Sequence, residues 1–290
     1  MRAFAKVAEE LHFGRAARAL YLTTPALSQQ IARLEKAVNA TLFDRSSRRV
    51  ELTLAGEQLL PLAREVVSAF DRVENWKRRR GAPSLRLGFA SVGPMKLAAE
   101  IFAEARAELP QVRLDVAYVH QDEVPKELLS GQLDLAFLWG PLIFDGVRTR
   151  TLTTQPRWLL LSETHPLAGR DELTVPDLDR IPLLRPHSAD PTYIAWSVVD
   201  PRPGGRRATT GPSVRNLEEA LTMVAAGLGG YLVPRDVAAA VQHPLVLAQP
   251  VSDLSDSPFS VSVAADGVAE TTNALLDVVL DVAARFDAMS

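Results

Sequence analysis

Ser28, Gln29, Gln30 and Arg33 bring hydroxyl, amide and guanidinium groups together on one short stretch, with the small Ala26 beside them. Amides and guanidiniums form paired hydrogen bonds to the edges of nucleobases, and small residues let a backbone come close. Further on, Arg45, Arg48 and Arg49 crowd a polar turn. Guanidiniums packed this way repel one another unless anions neutralise them, and phosphate oxygens do so strongly. Together the two clusters point to double-stranded DNA. An ordinary amphipathic surface helix is the alternative for the first cluster taken alone, and the arginine turn weighs against it.

A second set of residues falls where strands should give way to loops: Ser91, Val92 and Gly93; His120 and Gln121; Trp139 and Gly140; Arg185 and His187. The free N–H groups and hydroxyl of the first junction suit a carboxylate or phosphate. His120 offers a neutral donor or a titratable cation. Trp139 could floor an apolar ligand or simply belong to the core. Arg185 follows the apolar run IPLL, where a charge without a partner is costly, and is the preferred anion clamp. A bare helix cap at Ser91 and a solvated loop at His120 are the competing readings.

The elements that must carry these groups are legible in the pattern. Thr24 is a good N-cap, with Pro25 at the first helical position. Leu27, Ile31, Leu34 and Val38 then recur at helical spacing and mark one buried stripe. Leu42 and Phe43, then Val50, Leu52 and Leu54 alternating with polar residues, read as a hairpin around the arginines. The whole, 1–54, is a winged helix-turn-helix. From 55 to 77, Leu59, Leu62, Val66, Ala69, Val73 and Trp76 form a narrow apolar seam on a polar helix, best buried against a second copy. Packing on its own domain is the alternative. The run 77–83, KRRRGAP, ends this linker and marks a hinge. Residues 1–80 hold 15 Lys and Arg against 9 Asp and Glu, a net of +6. Residues 81–290 hold 17 against 26, a net of −9, so the basic end attracts DNA and the acidic end is repelled by it.

Beyond the hinge, 84–290 is long enough for a substantial core of its own. Strands are expected at 84–90, 113–119, 134–139, 157–162, 181–185, 230–233 and across FSVSV, with helices after the first two and at 217–227 and 273–288. Near-continuous apolar strands alternating with helices predict a mostly parallel α/β sheet.

The motifs AxxxHFGRAARAL, TPALSQQIxxLE and LFxRxxRRVxLTxAG resemble the N-terminal domain of the LysR-type transcriptional regulators, and the likeness continues through the rest of the chain. It implies that Thr24, Pro25, Ala26, Ser28 and Gln29, at the start of the recognition helix, meet operator DNA. It implies an effector domain similar to type 2 periplasmic binding proteins: lobe I at 84–150 and 254–290, lobe II at 151–253, a small-molecule effector between them. It also implies a tetramer made from two dimers. Thr24 stands where glutamine is frequent in the family and Gln29 where arginine is frequent, so no operator sequence carries over. His120-Gln121 replaces a common Ser-Thr, so effector chemistry does not carry over either. Met1 falls inside what is normally the first helix, and a helix short of about a turn is expected to fray.

Other chemistry finds no support. The segment 227–230, GLGG, follows a helix and precedes a strand, the wrong order for a dinucleotide site. His12, His120, His165, His187 and His243 are too far apart for local metal ligation, and there is no cysteine. No Gly-x-Ser-x-Gly elbow is present. No catalytic residue, metal or cofactor is therefore assigned, and an enzyme or plain solute-binding module built on the second unit is the competing class. The absence of a secretory leader and of a long apolar run predicts a cytoplasmic protein with no membrane partner.

Overall fold

The computed structural model describes residues 1–45, 50–78 and 83–289. The chain divides into two compact units, Met1–Arg80 and Gly81–Ser290.

In the first unit, α1 (Arg2–Glu10), α2 (Phe13–Ala19) and α3 (Thr24–Val38) precede a hairpin of β1 (Phe43–Arg45) and β2 (Val50–Leu52), then the long α4 (Leu54–Arg78). The core joins Phe4 and Val7 of α1, Ala16 and Ala17 of α2, Leu27 and Ile31 of α3, Leu42 and Phe43, and Ala63 of α4. Phe4 and Phe13 both pack on the ring of Phe43, at 5.4 and 5.9 Å. α1 is helical from Arg2. That side chain bonds Asp71 and lies over the Phe70 ring, which ties the first helix to α4.

Three local expectations need correcting. The N-cap of α3 is Thr23, not Thr24: its hydroxyl accepts from the Ala26 N–H at 3.3 Å, and Pro25 sits one place into the helix, where an N–H is free anyway. Val38 is exposed at the helix end instead of completing the buried stripe. Leu54 opens α4 instead of extending β2, because Thr53 turns the chain. The Thr53 hydroxyl donates to Thr41 O at 2.6 Å and accepts from Gly56 N at 3.1 Å. A Cβ on Gly56 would lie 2.3 Å from Leu42 O, so only glycine lets α4 start this close to the wing. The first half of α4 is thus core of the head, and no boundary falls between 54 and 55.

In the second unit β3 (Ser84–Phe89), α5 (Met95–Glu108), β4 (Arg113–Tyr118), α6 (Val124–Leu129), β5 (Leu135–Trp139) and β6 (Val147–Gln155) begin lobe I. Lobe II contains β7 (Arg157–Ser162), β8 (Leu183–Pro186), α7 (Pro191–Val198), β9 (Thr210–Val214), α8 (Leu217–Ala225), β10 (Tyr231–Pro234), α9 (Arg235–Ala240) and β11 (Val246–Pro250). The chain then returns to lobe I as β12 (Ser257–Ala264) and α10 (Glu270–Met289). The lobe I sheet runs β4-β3-β5-β12-β6, and the lobe II sheet β10-β7-β11 sits beside a β8-β9 pair.

The sheets are not mostly parallel. Among the described strands β4, β3 and β5 run parallel, as do β8 and β9, and helices connect them. β12 is antiparallel to β5 and β6, and β7 is antiparallel to both its neighbours. The crossing into lobe II comes after Gln155, not 150, because β6 pairs with β12 along its whole length, ending at Gln155 against Ser257. The segment 227–230 joins α8 to β10 as a tight connection.

Candidate functional site

Burial of Leu27 and Ile31 turns the opposite face of α3 outward. Thr24, Pro25, Gln29 and Arg33 are exposed there, with Ala26 and Ser28 half-buried beside them. Among the described residues, Arg33 has no ion-pair partner. The Glu35 carboxylate accepts from the N–H groups of Leu42 and Phe43, at 2.9 and 3.4 Å, which fixes the base of the wing to α3. Arg45 ends β1, and Arg48 and Arg49 lie outside the described residues. Tyr21, almost wholly exposed at φ 55° in the turn before α3, is a neighbour the periodicity did not single out.

In the second unit a cavity of about 620 Å³ opens between the lobes. It is lined by Ser91, Val92, His120, Gln121, Trp139 and His187, as the strand-to-loop junctions suggested. Trp139 Nε1 donates to Val92 O at 2.8 Å and so holds the first junction. His120 Nδ1 accepts from Asp122 N at 3.3 Å, which leaves the proton of the neutral ring on Nε2. The His120 and His187 rings meet edge to face across the cleft, with centroids 6.1 Å apart. The Asp122 carboxylate bridges the lobes, accepting from Ser188 Oγ and Ala189 N at 2.8 Å each.

Gly93, Gly140 and Arg185 do not line the cavity. Gly93 packs on the Phe259 ring. Gly140, at φ +97°, is the seat of α7: a Cβ there would come within 2.6 Å of the Tyr193 ring and 3.2 Å of Trp196. Arg185 is exposed and donates to Gly211 O at 3.3 Å, so it is no anion clamp. Its pocket counterpart is Arg157, 3% exposed at the start of β7. Arg157 Nε donates to Ser255 O and Nη1 to Trp196 O, both at 3.0 Å, and the guanidinium lies 4.5 Å over the Trp196 ring. Burial pushes its pKa down to about 10.

Tyr193, Trp196, Tyr231 and Ser257 also line the cavity and went unremarked in the sequence. Burial raises the phenol pKa of Tyr193 strongly and pushes that of Tyr231 up to about 12, so both stay neutral hydroxyls. The signal for Arg157 lies in RWLLLS, where a charge heads an apolar strand much as Arg185 ends the apolar run IPLL.

Residues 78–284 match the family model described as LysR substrate binding domain, and residues 1–57 match bacterial regulatory helix-turn-helix protein, lysR family. The chain is 33% identical to the HTH-type transcriptional regulator AlsR of Bacillus subtilis (strain 168), over 80% of this chain and 78% of that one. It is 32% identical to the uncharacterized HTH-type transcriptional regulator YnfL of Escherichia coli (strain K12), over 81% and 80%. Among solved structures it shares its fold with full-length CbnR complexed with its target DNA, at TM-score 0.57 and 20% identity over 97% and 98% of the two chains.

Proposed function

The chain belongs to the LysR family of DNA-binding transcriptional regulators, and on that premise we propose that it is a homo-oligomeric, cytoplasmic sensor reading one operator through α3. Thr24, Pro25, Ala26, Ser28, Gln29 and Arg33 read the major groove, while Arg45, Arg48 and Arg49 hold phosphates beside it. The observation that carries this is the division of α3 itself: Leu27 and Ile31 buried in the head's core, and an amide and guanidinium face left to solvent.

Two copies pair through α4, where Leu62, Val66, Phe70 and Val73 are each more than half exposed in the single chain. Apolar side chains at this spacing along one helix are covered most simply by the same helix of a second copy. Two such dimers make the tetramer that the family likeness implies. A small anionic effector binds the interlobe cavity, with Ser91, Val92, His120, Gln121, Trp139 and His187 around it. Closure of the lobes on the effector shifts the population toward one packing of the oligomer, and with it the spacing of the two heads on DNA.

A salt titration of the full-length protein tests the DNA reading, using duplex from upstream of its own gene against a scrambled duplex of equal length. The expected preference for the native duplex is about a thousandfold or more. Equal binding to native and scrambled duplexes at every salt concentration overturns sequence-specific recognition by this head.

A further inference from the structure

The interlobe cavity carries a cluster of aromatic side chains and one buried charge. Tyr118, Trp139, Tyr193, Trp196 and Tyr231 all line it, with Tyr193 and Trp196 stacked at 5.8 Å. Glu218 and Arg215 lie on its exposed margin, and Arg215 pairs with Glu219. Arg157 is the only buried side chain of the described lining that carries charge.

The protein solvates that charge incompletely. A guanidinium has five N–H donors, and Arg157 spends Nε and one Nη1 proton on backbone carbonyls, which leaves Nη2 without an acceptor among the described residues. No carboxylate stands within ion-pair distance of it among the described residues. Asp256 attracts it electrostatically, but its Oδ2 accepts instead from Thr154 Oγ1 at 3.4 Å. Burying an arginine this way is costly unless a partner arrives. Two further donors in the same lining are idle: Ser257 Oγ, on a residue with no exposure, and the buried Gln121 Nε2, neither with a hydrogen-bond partner. Ser257 pairs with Gln155 in the ladder, so it stands beside the same crossing between lobes that Arg157 opens.

We infer that the cavity takes a planar aromatic monocarboxylate, its carboxylate on Arg157 Nη2 and Ser257 Oγ and its ring among Trp139, Tyr193 and Trp196. The inference rests on the reading of this cavity as the effector site and names the chemical class and its anchor. A carboxylate matches a guanidinium edge in shape and charge, and the fixed aromatic walls favour a flat ring over a puckered one. A second acidic group would lack a buried cation and would meet Glu218 at the margin.

The test is calorimetric titration of the full-length protein with benzoate, 2-naphthoate and indole-3-carboxylate. The amide of each, cyclohexanecarboxylate and phthalate serve as controls. At least one aryl carboxylate is expected to bind about tenfold or more tightly than its own amide and than both acid controls. Arg157→Met is expected to weaken it about a hundredfold. Because Arg157 also ties two backbone carbonyls, that variant is paired with Ser257→Ala, which loses no hydrogen bond in the protein. Ser257→Ala should melt as the parent does and bind about tenfold more weakly. Amides binding as well as acids, cyclohexanecarboxylate binding as well as aryl acids, or unchanged affinity in Ser257→Ala each overturns the proposal. So does the absence of binding by every aryl acid. Retained operator preference in such a case leaves the DNA reading standing and removes the ligand class alone.

Discussion

Gln29 and Arg33 stand one helical turn apart on α3 and reach solvent from a single continuous element, held out by the burial of Leu27 and Ile31 behind them. The cavity has no such element. It draws Ser91 from the loop after β3, Arg157 from the head of β7, Trp196 from α7 and Ser257 from the start of β12, and it buries Arg157 and Ser257. The first surface waits for a large, highly charged partner and keeps its groups wet. The second is an enclosure in which a single unpaired charge outweighs many neutral contacts. A side chain on the outer face of α3 is therefore replaceable without disturbing the fold, whereas the cavity walls are also lobe-to-lobe contacts.

The sharpest way to break that contrast is Ser28→Ala with Gln29→Ala. Discrimination between operator and scrambled duplex should fall about a thousandfold, roughly 4 kcal/mol. The melting temperature should stay within the small range typical of surface changes. A large loss of stability would show that α3 is not a free face. Gly140→Ala probes the opposite property. It should destabilise the second unit by about 3 kcal/mol, since the new Cβ meets the Tyr193 ring and the backbone keeps a positive φ. A calorimetric scan that leaves this unit's transition unmoved would mean that α7 is not seated on Gly140.

A smaller effect is expected from Arg48→Ala with Arg49→Ala. Affinity should fall on all sequences alike, and the slope of log affinity against log salt should flatten by about 2. An identical slope in parent and variant removes the wing from the contact set. The smallest effect is pH-dependent. The Asp200 carboxyl is held below the usual carboxylate range by the Ala208 N–H and by Arg207. Its contribution is present above the ordinary carboxylate pKa and is lost as pH falls through the lowered folded value. Thermal melts in the acid range should therefore be flatter for Asp200→Asn than for the parent, and parallel curves would dismiss this carboxylate as a source of acid sensitivity.

The same contrast explains what could be seen in the residues. The head's stripe, cap and hairpin are local, so spacing alone located α3, although it placed the cap one residue late. β6, VRTRTLTTQ, is a sheet edge with exposed polar side chains and carries no apolar signature. β9, TGPSV, contains both glycine and proline and looks like a turn until β8 pairs with it. The cavity defeated sequence reasoning for a different reason. Arg157 and Arg185 each adjoin an apolar strand, and which of them faces inward is settled by contacts with Ser255 and Trp196, far along the chain.

The close seating of Gly56 against Leu42 O has a mechanical consequence. Together with the Thr53 and Glu35 bonds, it removes the slack between the wing, α3 and the start of α4. The head is then a rigid tool on a 25-residue shaft, about 37 Å long. In a dimer joined along that shaft, each degree of swing displaces the far end by about 0.6 Å. A modest change of angle between two shafts is thereby geared up to the scale on which a recognition helix gains or loses its register in the groove.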